Sequence, residues 1–347
     1  MALARDQSAR KPKAINSMTP TSKRPGITIA IAFALGVLIG VFWHRSLISG
    51  RLTFSPDDSK AGLRRLSSAF TSDRFVAYSP SQFNPTATNP EPIGEDSIRD
   101  DLRVVRTRFS AIVTYSCDPR MGLDRIVPVA HDLDMRVIVG VWDIHSVVEI
   151  ETSVRLARGF PDTVVGIIVG NETLSRGGEW EPLEAAIKLV KSAAPGMPIS
   201  TSEPISGYGN DALCHITDLH SPNVHWIFES KNREDVPAAL DWLVERTQAL
   251  RGIYPKPLLV KEHGMPSGPE PFTEALQSNY WAQALQRELN STNQAIAFFE
   301  AFDLPFKSIT QQSEFASAEA HWGAWDKDRR PKPVLTLLST QLPKRTQ

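Results

Sequence analysis

Cysteine is nearly absent from this chain, with two residues, Cys117 and Cys214, in 347. Two such distant cysteines make neither a disulfide framework nor a metal-ligand spacing, and they read as separate thiols. An excess of charge is lacking too: 38 lysines and arginines stand against 39 aspartates and glutamates. No strongly basic surface follows, so nucleic acid is not an expected partner. The eight histidines show no ligand spacing and there is no HExxH stretch, so neither a metal nor another cofactor is expected. Gly207-Tyr208-Gly209 is too sparse for a phosphate or dinucleotide loop, and Ser79, Ser116 and Ser267 stand in no nucleophile-elbow context.

Charge is missing altogether from Ile27 to Trp43, a run of 17 residues at the low end of the roughly 17–25 that cross a bilayer as a helix. Residues 1–26 carry Arg5, Arg10, Lys11, Lys13, Lys23 and Arg24 against the single acid Asp6. That asymmetry predicts a single-pass membrane anchor over 27–43, with the amino terminus cytoplasmic and the remainder periplasmic or extracellular. No small-residue cleavage site follows Trp43, which favours an uncleaved anchor over a signal peptide. Residues 44–73, charged and serine-bearing around Pro56-Asp57-Asp58-Ser59, read as a tether. Residues 74–340 then form one domain, of a size usual for a barrel.

In that domain short apolar runs alternate with amphipathic stretches. Strands are predicted over Phe75–Tyr78, Ala111–Tyr115, Arg136–Val141, Val164–Gly170, Ile199–Ser202, Asn223–Ile227, Pro257–Val260 and Ala295–Phe299. Helices are predicted over Asp96–Thr107, Gly122–Leu133, Val147–Arg158, Leu183–Ala194, Asp235–Leu250 and Thr273–Leu289. In the fourth of these, Leu183, Ala186, Ile187 and Val190 share one face and Pro195-Gly196 ends the helix. Only Gly207–Asn223 shows no clear helical period. The alternation predicts a single (β/α)8 TIM barrel.

The chemistry of such a fold collects at the carboxyl ends of its strands. Val164–Gly170 is a β-branched run that stops at Asn171 and Glu172. Leu258-Leu259-Val260-Lys261-Glu262-His263-Gly264 repeats the device. Two glutamates so placed suit glycosidic chemistry, one protonating the departing oxygen and the other attacking or stabilising the sugar carbon. The other strand ends bring Tyr78, Tyr115, Trp142, Glu203, His225, Trp226, Glu300 and Asp303 to the same rim, with no evident cation before Lys307. Aromatic faces paired with carboxylates suit a neutral, hydroxyl-rich ligand better than a phosphate.

Four stretches carry a family resemblance: Val164 to Glu172, Glu262-His263-Gly264-Met265-Pro266-Ser267, Phe299-Glu300-Ala301-Phe302-Asp303, and His321-Trp322-Gly323-Ala324-Trp325-Asp326. In their order and spacing, with weaker support from Tyr78-Ser79-Pro80 and Thr114-Tyr115-Ser116, residues 75 to 333 resemble glycoside hydrolase family 17. These are β-1,3-glucanases and glucan transglycosylases, here in a bacterial membrane-associated branch. The resemblance implies a metal-free retaining barrel enzyme, with Glu172 as acid/base, Glu262 as nucleophile and Asn171 near the sugar 2-hydroxyl. It implies β-glucan as the partner, bound by Asn171 and the rim residues other than Glu203, together with Trp322. Departures from the family pattern fall on Val113, Met265, Leu304 and the shortened His225–Glu229 segment, and none removes a catalytic carboxylate. A second expectation, from another class, is an idle glucan-binding barrel acting as a scaffold beside a glucan synthase.

Overall fold

The longest strand, β4 (Val164–Asn171), is buried along its whole length, as a β-branched run in a parallel sheet should be. It lies between β3 (Arg136–Val141) and β5 (Ile199–Ser202), and β1 (Phe75–Tyr78) and β2 (Ala111–Thr114) complete a five-stranded sheet in the order β1-β2-β3-β4-β5. Every neighbouring pair is parallel. β6 (Leu258–Val260) and β7 (Gln294–Ile296) form a second parallel pair. Single parallel bridges join Val76 to Phe298, Pro204 to Asn223, His220 to Leu258 and Asn223 to Glu262. The structure is a computed structural model that describes residues 56–287, 289–310 and 315–338.

Helices follow the strands: α2 (Glu95–Val105) after β1, α3 (Ile126–Asp132) after β2, α4 (Val147–Gly159) after β3 and α5 (Trp180–Ala193) after β4. α6 (Asp211–Ile216), α7 (Trp226–Glu229) and α8 (Val236–Ile253) lie between β5 and β6, and α9 (Glu274–Gln286) between β6 and β7. Their starts are chemically marked. Ser146, Asp235 and Thr273 each accept a backbone N–H of the first turn of α4, α8 and α9, satisfying donors that a helix leaves open.

The predicted strand over Asn223–Ile227 is replaced by something shorter. Residues 220–224 bond alternately to the β5 and β6 sides: Asn223 N donates to Glu203 O at 2.9 Å and Val224 N to Glu262 O at 2.8 Å. Pro222 has no N–H to give, which breaks the ladder, and Trp226–Glu229 turns into α7.

The tether expected over 44–73 is corrected within its described part. Residues Pro56–Ser72 form a helix, α1, which begins with a proline and two aspartates, a favourable first turn. Leu66, Ala69 and Phe70, on one face, are buried against Phe75, Val113, Val165, Ile168 and Leu259 of the strands. α1 is therefore part of the folded domain. Its Gly62 lies so near the segment before β5 that a Cβ there would stand 1.8 Å from Gly196 O. The expected membrane span Ile27–Trp43 lies outside the described residues, among which no helix is long and apolar enough to cross a membrane. Cys117 and Cys214 are buried and unpaired.

Candidate active site

At the end of β4 the backbone turns sharply. Gly170 has φ 81° and Glu172 φ 54°, a left-handed region that non-glycine residues seldom occupy. A side chain on Gly170 would meet Thr173 Oγ1 at 2.5 Å, so glycine is required where the chain bends toward the ligand side. The bend leaves the Glu172 carboxyl held at both oxygens. Asn223 Nδ2 donates to Oε1 at 2.8 Å, and Arg176 donates to Oε2 at 3.3 Å. Asn223 is oriented in turn by Ser202, whose hydroxyl donates to its Oδ1 at 2.9 Å.

Glu262, two residues beyond β6, sits in different surroundings. It is 5 % exposed, and its neighbour Lys261 only 1 %. The Lys261 ammonium donates to Glu262 Oε1 at 3.3 Å and also to Asn171 Oδ1. His225 Nε2 stands 3.1 Å from Glu262 Oε2, which fits the tautomer that donates to a carboxylate. Burial opposes ionisation of Glu262, but Lys261, His225 and Lys307 outweigh it and hold the carboxyl below the usual carboxylate range. Burial pulls Lys261 below its ordinary value, against the attraction of Glu262 and Glu172. The Tyr115 phenol is pushed up by burial and by the Glu262 and Glu300 carboxylates, and the Lys261 ammonium lies 4.1 Å above its ring.

Both carboxylates open into one cavity of about 800 Å³, which Tyr115, Trp142, Asn171, His225 and Lys307 also line. Seven of the residues expected at a sugar site are thus brought together. The other five are not on the cavity wall. Tyr78 is buried, with its hydroxyl donating to Asp101 Oδ2 at 3.1 Å. It faces the helix side of β1, as alternation along a strand dictates once Phe75 points the other way. Trp226 packs on Trp242 and donates to Asn232 O. Trp322 is wholly buried behind His225 and Phe299. Glu300 accepts from Lys307 at 2.6 and 2.7 Å, and burial pushes its carboxyl up to about 7 against that lysine. Asp303 accepts from Lys332 at 2.6 Å and from Gly323 N at 2.9 Å. Glu300 and Trp322 stand directly behind wall residues, and Asp303 ties loops together.

Around the cavity stand residues assigned no role from the sequence, while Glu203, expected on the rim, lies buried off the cavity wall. The rim carries cations before Lys307: Arg176 and Lys261 both reach carboxylates there. Glu203, buried at the end of β5, accepts Leu174 N at 2.8 Å and Ser175 N at 3.1 Å and so fixes the loop after Glu172. Glu319 lines the wall, its carboxyl raised by burial against Lys307 and His225. Phe83 and Phe306, edge to face with centroids 5.7 Å apart, extend the apolar surface. Among the described residues no three His, Cys, Asp or Glu side chains are placed to hold a metal ion.

Known proteins similar to this chain include glycosidases and transglycosylases. A glucan 1,3-β-glucosidase of Arthroderma benhamiae is 27% identical over 252 residues, covering 67% of this chain and 82% of its own. An endo-laminarinase from Formosa Hel1_33_131 superposes with TM-score 0.60 at 17% identity, over 76% of this chain and 85% of the other. A glycoside hydrolase family 17 β-1,3-glucanosyltransferase from Rhizomucor miehei does so with TM-score 0.58 at 22% identity, over 77% and 98%. At such identities the structural likeness speaks for the fold, an α/β glycosidase-like fold with a parallel sheet. Residues 76–323 match the BtgE/BtgC glycoside hydrolase domain. With that span matched, the chain belongs to the BtgE/BtgC glycoside hydrolase family and is an enzyme of the glycosidase and transglycosylase kind.

Proposed function

We propose that this enzyme cleaves β-1,3-glucan with retention, Glu262 acting as nucleophile and Glu172 as acid/base, in endo-hydrolysis or glucanosyl transfer. The observation that carries the assignment is the unequal treatment of the two carboxylates. Glu262 is buried on Lys261 and His225 and held ionised, the state in which a carboxylate attacks a sugar carbon. Glu172 faces the cavity between a neutral amide and an arginine, where it can exchange a proton with a leaving oxygen and later with water. A retaining pair stands about 5–5.5 Å apart. Relatives named for β-1,3-glucan support the substrate class.

The bridges from Val76 to Phe298 and from Asn223 to Pro204 and Glu262 support closure of the two sheets into a (β/α)8 barrel. Ile27–Trp43 is proposed as the membrane anchor, with the catalytic domain outside the cytoplasm. Protease added to spheroplasts should then digest the domain, and full protection would overturn that topology.

Activity is tested by incubating the detergent-solubilised chain with β-1,3-glucan oligosaccharides and sizing the products. Shorter chains alone mean hydrolysis, and longer chains mean transfer. Unchanged chains would favour the idle glucan-binding scaffold over an enzyme.

A further inference from the structure

The loop after β4 is tighter than a surface connection needs to be. Arg176 N donates to Glu172 O at 3.0 Å and Gly178 N to Thr173 O at 2.8 Å. Gly177 takes φ 85°, and Glu203 clamps Leu174 N and Ser175 N from below. The loop delivers one side chain back over the site. The Arg176 guanidinium lies 4.6 Å from the centroid of Trp142, and its Nη2 donates to Glu172 Oε2 at 3.3 Å. A planar guanidinium stacked on an indole is held in one orientation, which a freely moving lysine at the same place would not be.

An ion pair this exposed, with side chains 44% and 24% accessible, contributes little to stability. Folding alone does not explain it. Its geometry has another consequence. With Asn223 holding Oε1 only, the terminal carboxyl torsion of a glutamate is broad and roughly two-fold. A second donor at Oε2 removes that freedom. We propose that Arg176 is a positioning residue, which, braced on Trp142, locks the Glu172 carboxyl in the orientation for proton transfer to the leaving oxygen. The inference rests on the reading of Glu172 as the acid/base. Glu203, Lys261 and Tyr115 also face Glu172 electrostatically, but among the hydrogen bonds described only Asn223 and Arg176 donate to its carboxyl.

The test compares two substrates that differ in their need for acid assistance: a β-1,3-gluco-oligosaccharide and an activated aryl β-1,3-oligoglucoside accepted by the wild type. The full chain is assayed as wild type, Arg176→Met, Arg176→Lys, Glu172→Ala and the Glu172→Ala/Arg176→Met double variant. Acid–base assistance is typically worth ~10²–10⁴ in rate, and losing its orientation should forfeit part of that. Arg176→Met should lower kcat on the oligosaccharide ~10-fold with KM little changed, and leave cleavage of the aryl substrate within about 2-fold. Arg176→Lys should recover part of the loss. In the Glu172→Ala background Arg176→Met should add nothing, because both changes remove one interaction. Equal slowing of both substrates by Arg176→Met, or its full factor persisting without Glu172, would overturn the proposal while leaving Glu172 as acid/base. If Glu172→Ala itself slowed both substrates alike, the underlying assignment would fall and the positioning role with it.

Discussion

The ends of β4 and β6 begin from the same sequence device, an apolar run closed by a glutamate, and arrive at opposite environments. After β6 the carboxyl goes inward. Glu262 has a buried lysine as its chain neighbour and His225 against its Oε2, and its carboxyl is held below the usual range despite burial. After β4 the backbone flips into the left-handed region and presents Glu172 to the cavity. There its partners come from other segments: Asn223 from the segment between β5 and β6, and Arg176 from its own loop. The motif alone therefore places two carboxylates, and in the proposed assignment it is the tertiary neighbours that divide their roles. Two similar acids in unlike surroundings are what a double displacement needs.

The largest effect should come from the inward side. Glu262→Gln preserves shape and removes the proposed nucleophile, so turnover of β-1,3-glucan should fall by on the order of 10⁴-fold or more, as for other enzymes stripped of a nucleophile. Substantial turnover by a purified, folded variant would break the comparison. Glu172→Ala should cost ~10²–10⁴-fold on the same glucan and much less on an activated aryl substrate. An equal loss on both would mean that Glu172 serves something other than proton transfer.

The comparison sharpens one step outward, at Asn223. Its amide donates to Glu172 while its carbonyl is occupied by Ser202. Asn223→Ala should slow glucan cleavage by ~10-fold, the size of one hydrogen bond to a charged group. Asn223→Asp places a second carboxylate beside Glu172 and should do worse. If the aspartate variant were the more active, Asn223 would not be acting as a donor.

The smallest effect is in stability against pH, where two buried carboxylates have opposite signs. Glu262 is held below the usual range, so its contribution is present above the unfolded value near 4.5 and is lost as pH falls below it. Glu300 is pushed up to about 7, so its contribution is full below ~4.5 and disappears as pH rises through about 7. In thermal melts the advantage of the wild type over Glu262→Gln should shrink on acidification. Its standing relative to Glu300→Gln should worsen between about pH 5 and 7. Parallel curves for the two variants would contradict this separation.

Much of the frame was legible because it is written in periodicity. Val164–Asn171 and Leu258–Val260 announce themselves as buried strands, and their carboxyl ends point to Glu172 and Glu262. The strand expected over Asn223–Ile227 was misplaced because His220, Ser221 and Pro222, where the backbone does bond to the β6 side, interrupt the apolar pattern that a ladder usually shows. α1 was hidden because Leu66, Ala69 and Phe70 are few among charges, so the segment has the texture of a tether until the strands it covers are in place. Arg176 and Lys261 were silent for another reason. A cation in a loop or at a strand end acquires meaning only when the chain returns it to a carboxylate, and no spacing rule records that return. Tyr78, Trp226 and Trp322 show the converse. Tyr78, at a strand end, can face sugar or core, and one residue of register decides which, whereas Trp226 and Trp322 lie outside the strands and pack inward.

The division of labour between the two carboxylates is tested most directly by azide trapping. Glu172→Ala and Glu262→Ala are each incubated with azide and an activated aryl oligoglucoside accepted by the wild type, and the anomeric coupling of the products is read from proton spectra. With Glu172 gone, the glycosyl-enzyme on Glu262 still forms, and azide entering the vacated pocket should give the β-glycosyl azide. With Glu262 gone, azide attacks the intact substrate from the opposite face and should give the α-glycosyl azide. Exchange of the two products would reverse the roles assigned to Glu172 and Glu262, and full retention of glucan activity by either variant would remove that residue from the reaction.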